Sequence, residues 1–196
     1  MQTAADDGPE IAPEAVRTRG VRALAATGGV VLALTLDHGV PSVERRRSDD
    51  EGWHGEVVRG GAGRAALDPS ARLCAAASGR SLAILGEQLV CVSRDAGASY
   101  LVVELPCSAA AAFAGDAVDA PLLVLVGRPG HEAGYLVEIA ATGDALVLAA
   151  LAGAFPEASD DGPLPGSGAV AWDGAREVAW VASGAGLVAI GHTRRH

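Results

Sequence analysis

The chain has 196 residues, of which 49% are hydrophobic and 4% aromatic, and its formal net charge is −9. The apolar fraction favours a folded domain over intrinsic disorder. The one Arg cluster, Arg45–Arg47, is followed at once by Asp49, Asp50 and Glu51. An acidic chain of this kind is not expected to bind nucleic acid.

The N-terminal stretch, residues 1–16, has neither a basic start nor an apolar core segment, so it is not expected to be a secretory signal. No apolar run in the chain reaches the roughly 18 residues that a membrane helix needs. The odd set of cysteines (Cys74, Cys91 and Cys107) agrees with reduced thiols. These features predict a cytoplasmic protein without a membrane segment.

Short apolar runs bounded by Gly, Asp, Pro or Ser follow one another along the chain, and their lengths fit strands better than helices. In chain order they read VRALAA, VVLALTLD, SVERRRS, WHGEVV, RLCAAA, SLAILG, QLVCVS, SYLVVEL, PLLVLVG, GYLVEIA, ALVLAAL, AVAWD, EVAWVAS and GLVAIG. The Ala-rich residues 109–112 are also interpreted as strand, because an uncapped run that short makes a marginal helix. The pattern predicts an all-β protein.

A polar turn at Ser93, Asp95 and Gly97 lies between two of these strands, and a similar turn stands 45 positions upstream. The upstream residues are Ser48, Asp50 and Gly52. A repeat of about 40–50 residues with four strands in each unit is typical of β-propellers. The repeat predicts a single domain with antiparallel four-stranded units at about 16–60, 61–106, 107–153 and 166–192. A propeller of about four blades follows, as a closed small ring or a partial propeller.

The sequence Ser93-x-Asp95-x-Gly97-x-Ser99-Tyr100 resembles the Asp-box, or BNR repeat, of sialidases, sortilin-type receptors and photosystem assembly factors. The resemblance implies a turn between the third and fourth strands of a blade, with the aromatic residue packed between blades. In such a turn the Asp carboxylate bonds its own backbone, and Gly supplies a positive φ. Within this family the motif is mostly structural and lies away from the binding face.

The sequence shows no convincing catalytic or metal-binding set. Sialidase chemistry needs a Tyr nucleophile with a Glu partner, yet Tyr100 belongs to the turn motif, and Tyr135 and Glu138 share one strand without specific coupling. The five His are scattered, with no HExxH or paired-Cys spacing. The stretch GGAGRAALD lacks the Lys of a phosphate loop, and no helix is expected there. No catalytic residue, metal or cofactor is therefore predicted.

Two functions from different classes remain open. The first is a non-catalytic protein-binding or scaffolding module, a subunit or accessory factor of a larger assembly, with a protein partner or self-association. The alternative is a small propeller hydrolase, similar to a glycosidase, or a lyase. The strands expected to lie innermost (VRALAA, RLCAAA, SAAAAFAG and GAVAWD) are small and apolar, which favours the first. The fourth unit has three strands, and PEIAPEAV (residues 9–16) is a candidate for its missing outer strand.

Overall fold

The computed structural model of the chain describes residues 20–47, 52–106, 108–127, 133–152, 168–183 and 186–191. Within them lie fifteen strands and one helix. In chain order these are β1 Gly20–Thr27, β2 Val30–Asp37, β3 Val40–Arg47, β4 His54–Val57, α1 Gly60–Leu67, β5 Arg72–Ala75, β6 Leu82–Leu85, β7 Leu89–Ser93, β8 Leu101–Glu104, β9 Ser108–Phe113, β10 Leu122–Gly127, β11 Ala133–Ile139, β12 Ala145–Ala152, β13 Ala169–Asp173, β14 Val178–Ser183 and β15 Gly186–Gly191.

The strands form four antiparallel sheets, each made of consecutive strands. The first sheet is β1–β4, the second β5–β8, the third β9–β12 and the fourth β13–β15. The predicted all-β fold with antiparallel four-stranded units is confirmed, and the Ala-rich residues 109–112 lie in strand β9. The fourth sheet has three strands among the described residues. The candidate outer strand at residues 9–16 lies outside them, and the single domain and its unit boundaries stay a prediction.

The sheets stack face to face in chain order, and strand β10 shows this most clearly. Its side chains alternate between two apolar clusters. Leu122, Val124 and Val126 belong to the cluster shared with the second sheet, whereas Leu123 and Leu125 belong to the cluster shared with the fourth. The third sheet is therefore covered on both faces, which explains why β10 is apolar throughout.

The second sheet is covered in the same way, with Leu82 and Ile84 of β6 facing the first sheet and Ala83 and Leu85 facing the third. The first strands of successive sheets pack against one another, β1 on β5, β5 on β9 and β9 on β13. No comparable contact joins β13 to β1 within the described part of the chain. Among the described residues, the four sheets thus form an open arc in which another sheet stacks on one side only of each end sheet.

Helix α1 corrects the expectation that no helix would form around GGAGRAALD. A helix of eight residues is marginal in isolation. Here Ala62, Ala65 and Ala66 are buried in the cluster between the first and second sheets. Gly86, directly after β6, lets the sheet backbone come close to the helix, since a Cβ there would lie 3.2 Å from the Cα of Ala65. Burial of small side chains against the sheets, which no local signal reports, stabilises this helix.

Candidate functional site

The Asp95 turn joins β7 to β8, the third and fourth strands of the second sheet. The Ser93 hydroxyl donates to Oδ1 of Asp95 at 2.8 Å, and the Ser99 backbone N–H donates to the same oxygen at 2.9 Å. The Ser99 hydroxyl donates to Oδ2 at 2.6 Å. Both carboxylate oxygens are therefore engaged inside the turn, in a manner expected of an Asp that stabilises its own loop.

The backbone of this turn enters the left-handed region at two successive residues. Gly97 has a φ of 100°, and its N–H donates to the buried Ser93 hydroxyl at 2.8 Å. Ala96 has a φ of 61°, which the sequence did not lead us to expect of a residue with a Cβ. A hydrogen bond from the Ala96 N–H to the carbonyl oxygen of Arg80, at 2.8 Å, holds it there.

Tyr100 packs against the apolar cluster between the first and second sheets. Its hydroxyl is buried without a hydrogen-bond partner in the described part of the chain. Burial raises the pKa of Tyr100, and the nearby Cys91, Asp95 and Glu56 raise it further. A phenol held neutral in this way packs as an aromatic side chain, as the turn motif predicts.

The other residues considered for sialidase chemistry do not meet. Tyr135 and Glu138 are three positions apart on β11, so their side chains leave opposite faces of the third sheet. Of the upstream copy of the motif, Ser48 and Asp50 lie outside the described residues. Gly52 lies in the connection between β3 and β4, the third and fourth strands of the first sheet.

Acidic side chains organise two further turns. The Thr142 hydroxyl donates to Asp144 at 2.8 Å in the connection between β11 and β12. Asp173 accepts from the backbone N–H of Ala175 at 3.1 Å and from the Arg176 guanidinium at 3.2 Å, after β13. Short turns in which an Asp side chain accepts hydrogen bonds from residues of the same turn therefore recur in this chain.

Beside the Asp95 turn, Arg94 reaches from the second sheet to the third. Its guanidinium carbon lies 5.1 Å from the centre of the Phe113 ring, a distance at which cation–π attraction acts. Burial lowers the pKa of Arg94, and the charge of Asp119 partly offsets this effect. Nothing in the sequence pairs Arg94 with Phe113, because the contact depends on how the two sheets stack.

The described cysteines behave as apolar residues. Burial raises the pKa of the Cys74 thiol to about 12 and that of the Cys91 thiol to about 11. Neutral thiols of this kind are poor nucleophiles and poor metal ligands. Among the described residues, no three His, Cys, Asp or Glu side chains are placed to share a metal ion. The described part of the chain also contains no helix long and apolar enough to cross a membrane.

The outward face of the fourth sheet, here called the fourth-sheet end face, is almost entirely apolar. Strand pairing aligns Trp180 of β14 with Ala171 and Ala189. The remaining apolar members of this face are Ala169, Val178, Ala182 and Leu187. Leu187 is 66% exposed. The opposite face carries Val170, Ala179 and Val181 in the cluster shared with the third sheet. One charged side chain, Asp173, borders the end face, and it bonds its own turn.

The outward face of the first sheet, here called the first-sheet end face, lies at the other end of the arc. It exposes five large apolar side chains: Val21, Leu24, Val31, Val40 and Val57. Leu24 is 63% exposed. Thr35 and Ser42 at its centre are buried, their hydroxyls lie 2.9 Å apart, and the Thr35 hydroxyl also bonds Glu44 at 3.3 Å. This face is therefore mixed: exposed apolar side chains and the charged residues Asp37 and Arg46 surround a buried, hydrogen-bonded polar centre.

A solved structure that resembles the chain supports a β-propeller fold. A chain of the crystal structure of a nidogen/laminin complex matches with a TM-score of 0.53 at 14% identity. The match covers 84% of the present chain and 57% of the other, so the chain spans little more than half of that structure. A protein from Lactobacillus plantarum matches with a TM-score of 0.43 at 12% identity, over 87% and 55% of the two chains. No protein-family model and no curated protein matches the sequence.

Asp95→Ala is expected to lower the free energy of unfolding by about 1–2 kcal/mol through the lost turn hydrogen bonds. The Ser99 hydroxyl, Ser99 N–H and Ser93 hydroxyl lower the pKa of Asp95. The stabilisation of the fold by this carboxylate is therefore complete above the unfolded pKa of about 3.9. It is lost as the pH falls through the lower pKa of the folded state. Urea unfolding of the wild type and of Asp95→Ala between pH 7 and pH 2 measures the difference in their free energies of unfolding. Glu104→Ala is the control. If the difference between wild type and Asp95→Ala stayed the same at acidic pH, the assigned role of the Asp95 carboxylate would be contradicted.

Proposed function

We propose that this chain is a non-catalytic protein-binding or scaffolding module built on an open propeller arc, and that it serves as a subunit or accessory factor of a larger assembly. The observation that carries the proposal is the pair of exposed sheet faces at the ends of the arc, above all the fourth-sheet end face around Trp180 and Leu187. Large exposed apolar surfaces on soluble proteins are typical of sites that bind another protein.

The chemistry of the Asp95 turn supports the same proposal. A general acid would need a raised pKa and an accessible proton, whereas the pKa of Asp95 is lowered by Ser99 and Ser93. We propose that this turn is an Asp-box with a structural role, and that the upstream residues Ser48, Asp50 and Gly52 are a degraded copy. A cytoplasmic location is part of the proposal, as the sequence predicts.

A photo-crosslinking experiment tests the binding role. A photo-reactive phenylalanine analogue replaces Leu187, which is 66% exposed on the fourth-sheet end face. The matched control carries the analogue at Val147, which is 58% exposed on β12, away from both end faces. After irradiation in the native host, we expect protein adducts from position 187 and few from position 147. Equal yields, or no adduct from position 187, would contradict a binding role for the end face.

A further inference from the structure

We propose that the protein bound at each end of the arc is a second copy of this chain, so that two four-sheet arcs close head to tail into one propeller ring. This inference rests on the proposed function in that both require the end faces to be contact surfaces. It adds the identity of the partner and the order of contact, with the fourth sheet of each copy on the first sheet of the other.

Continuity with the contacts inside the chain is the first argument. Three times in succession, one sheet covers the apolar face of the next: first on second, second on third and third on fourth. The stacking then ends at Trp180 and Leu187 on one side and at Leu24 and Val31 on the other. Another sheet at either end would be added by the same type of contact that already holds the arc together.

A second copy of the chain can cover both end faces at once. The two end faces lie at opposite ends of one stack of sheets. Each chain therefore has one first-sheet end face and one fourth-sheet end face. In a two-fold ring, the two contacts between copies are identical and both faces of both copies are covered. Two arcs supply eight sheets, which lies within the usual propeller range of about four to eight blades.

The composition of the two faces fits this order of contact. The fourth-sheet end face is composed of Ala, Val, Leu and Trp, with one large ring at Trp180 among small neighbours. The first-sheet end face is more polar: Thr35 and Ser42 are buried at its centre with their hydroxyls bonded to each other, and the charged residues Asp37, Glu44 and Arg46 lie on the same face. Covering bonded polar groups costs far less than covering unpaired ones. An apolar sheet can therefore pack on the exposed apolar side chains of this face while the hydrogen bond between Thr35 and Ser42 is kept.

The mass of the purified full chain, followed by light scattering and sedimentation over a concentration series, tests the inference. We expect twice the chain mass of 19.6 kDa. Leu187→Glu and Leu24→Glu each place a charge in both contacts of the ring and are expected to weaken the dimer by roughly a hundredfold. Val147→Glu is the matched control and is expected to keep the dimer. All three positions are exposed, and circular dichroism checks that each variant folds.

Mixing the two variants tests the order of contact. In a head-to-tail ring, one Leu187→Glu chain and one Leu24→Glu chain share one contact with both substitutions and one with neither. The mixture is therefore expected to dimerise more tightly than either variant alone. No gain on mixing would overturn the head-to-tail order, and a mass that grows beyond two chains would overturn ring closure.

A wild-type chain that stays monomeric at all concentrations, or a dimer that neither Glu variant weakens, would overturn self-association through the end faces. The crosslinking experiment separates this failure from that of the proposed function. An adduct between position 187 and a different protein, with a monomeric chain, would refute the ring and leave the binding role standing. An absent adduct together with a monomer would refute both.

Discussion

Gly28→Ala is expected to lower the free energy of unfolding by about 3 kcal/mol or more. Gly28 lies in the turn between β1 and β2 with a φ of 51°, a conformation that costs a residue with a Cβ roughly 1–2 kcal/mol. An added Cβ would also overlap the carbonyl oxygen of Ala77 in the second sheet's β5–β6 connection. Moving that backbone adds an overpacking cost of about 1–3 kcal/mol.

Gly39→Ala is the matched control for this prediction. Gly39 lies in the turn between β2 and β3 with a φ of 83°, and an added Cβ would meet no atom within 4 Å. Its cost should be the conformational part alone, about 1–2 kcal/mol. Urea unfolding followed by circular dichroism gives both values. Equal losses for the two variants would show that the first and second sheets do not approach each other at Gly28.

Leu125→Ala is expected to cost about 2–5 kcal/mol, because it removes a fully buried side chain and leaves a cavity. Leu125 is 0% exposed and belongs to the cluster between the third and fourth sheets. A Cβ added at Gly168, the residue before β13, would overlap the same side chain, so the start of the fourth sheet lies close to it.

Leu146→Ala provides the comparison for Leu125→Ala, since Leu146 is 45% exposed in β12 of the same sheet. A surface truncation there should cost about 0.5 kcal/mol or less. Chemical denaturation of the two variants and the wild type measures the loss in free energy of unfolding for each variant. If Leu125→Ala cost no more than Leu146→Ala, the stacking of the fourth sheet on the third would be wrong.

The strand content could be predicted from sequence because strand lengths and turn residues are local properties. The apolar runs around β6 and β10 show where strands lie, although periodicity alone does not show that both of their faces are covered. That information comes from the stacking, in which Leu123 and Leu125 meet the fourth sheet while Leu122 and Val124 meet the second. The hydrogen bonds of Asp95 form within seven residues, so the motif sufficed to suggest them.

Features that depend on distant parts of the chain could not be predicted. Helix α1 has no capping side chain and is stabilised by burying its alanines against two sheets. The left-handed Ala96 depends on the Arg80 carbonyl oxygen, and the contact of Arg94 with Phe113 joins two sheets. The two end faces also depend on distant parts of the chain. The alternation in EVAWVAS gives two apolar faces, and the position of the neighbouring sheet decides which one is exposed.

A crystal structure of the purified full chain is the measurement that tests the central claim most directly. We expect four sheets stacked in chain order through β1, β5, β9 and β13. We also expect Trp180 of each copy to be buried against the first sheet of another polypeptide. A closed ring within one chain, with its fourth sheet packed on its own first sheet, would contradict the open arc. End faces that stay bare to solvent would contradict the binding role.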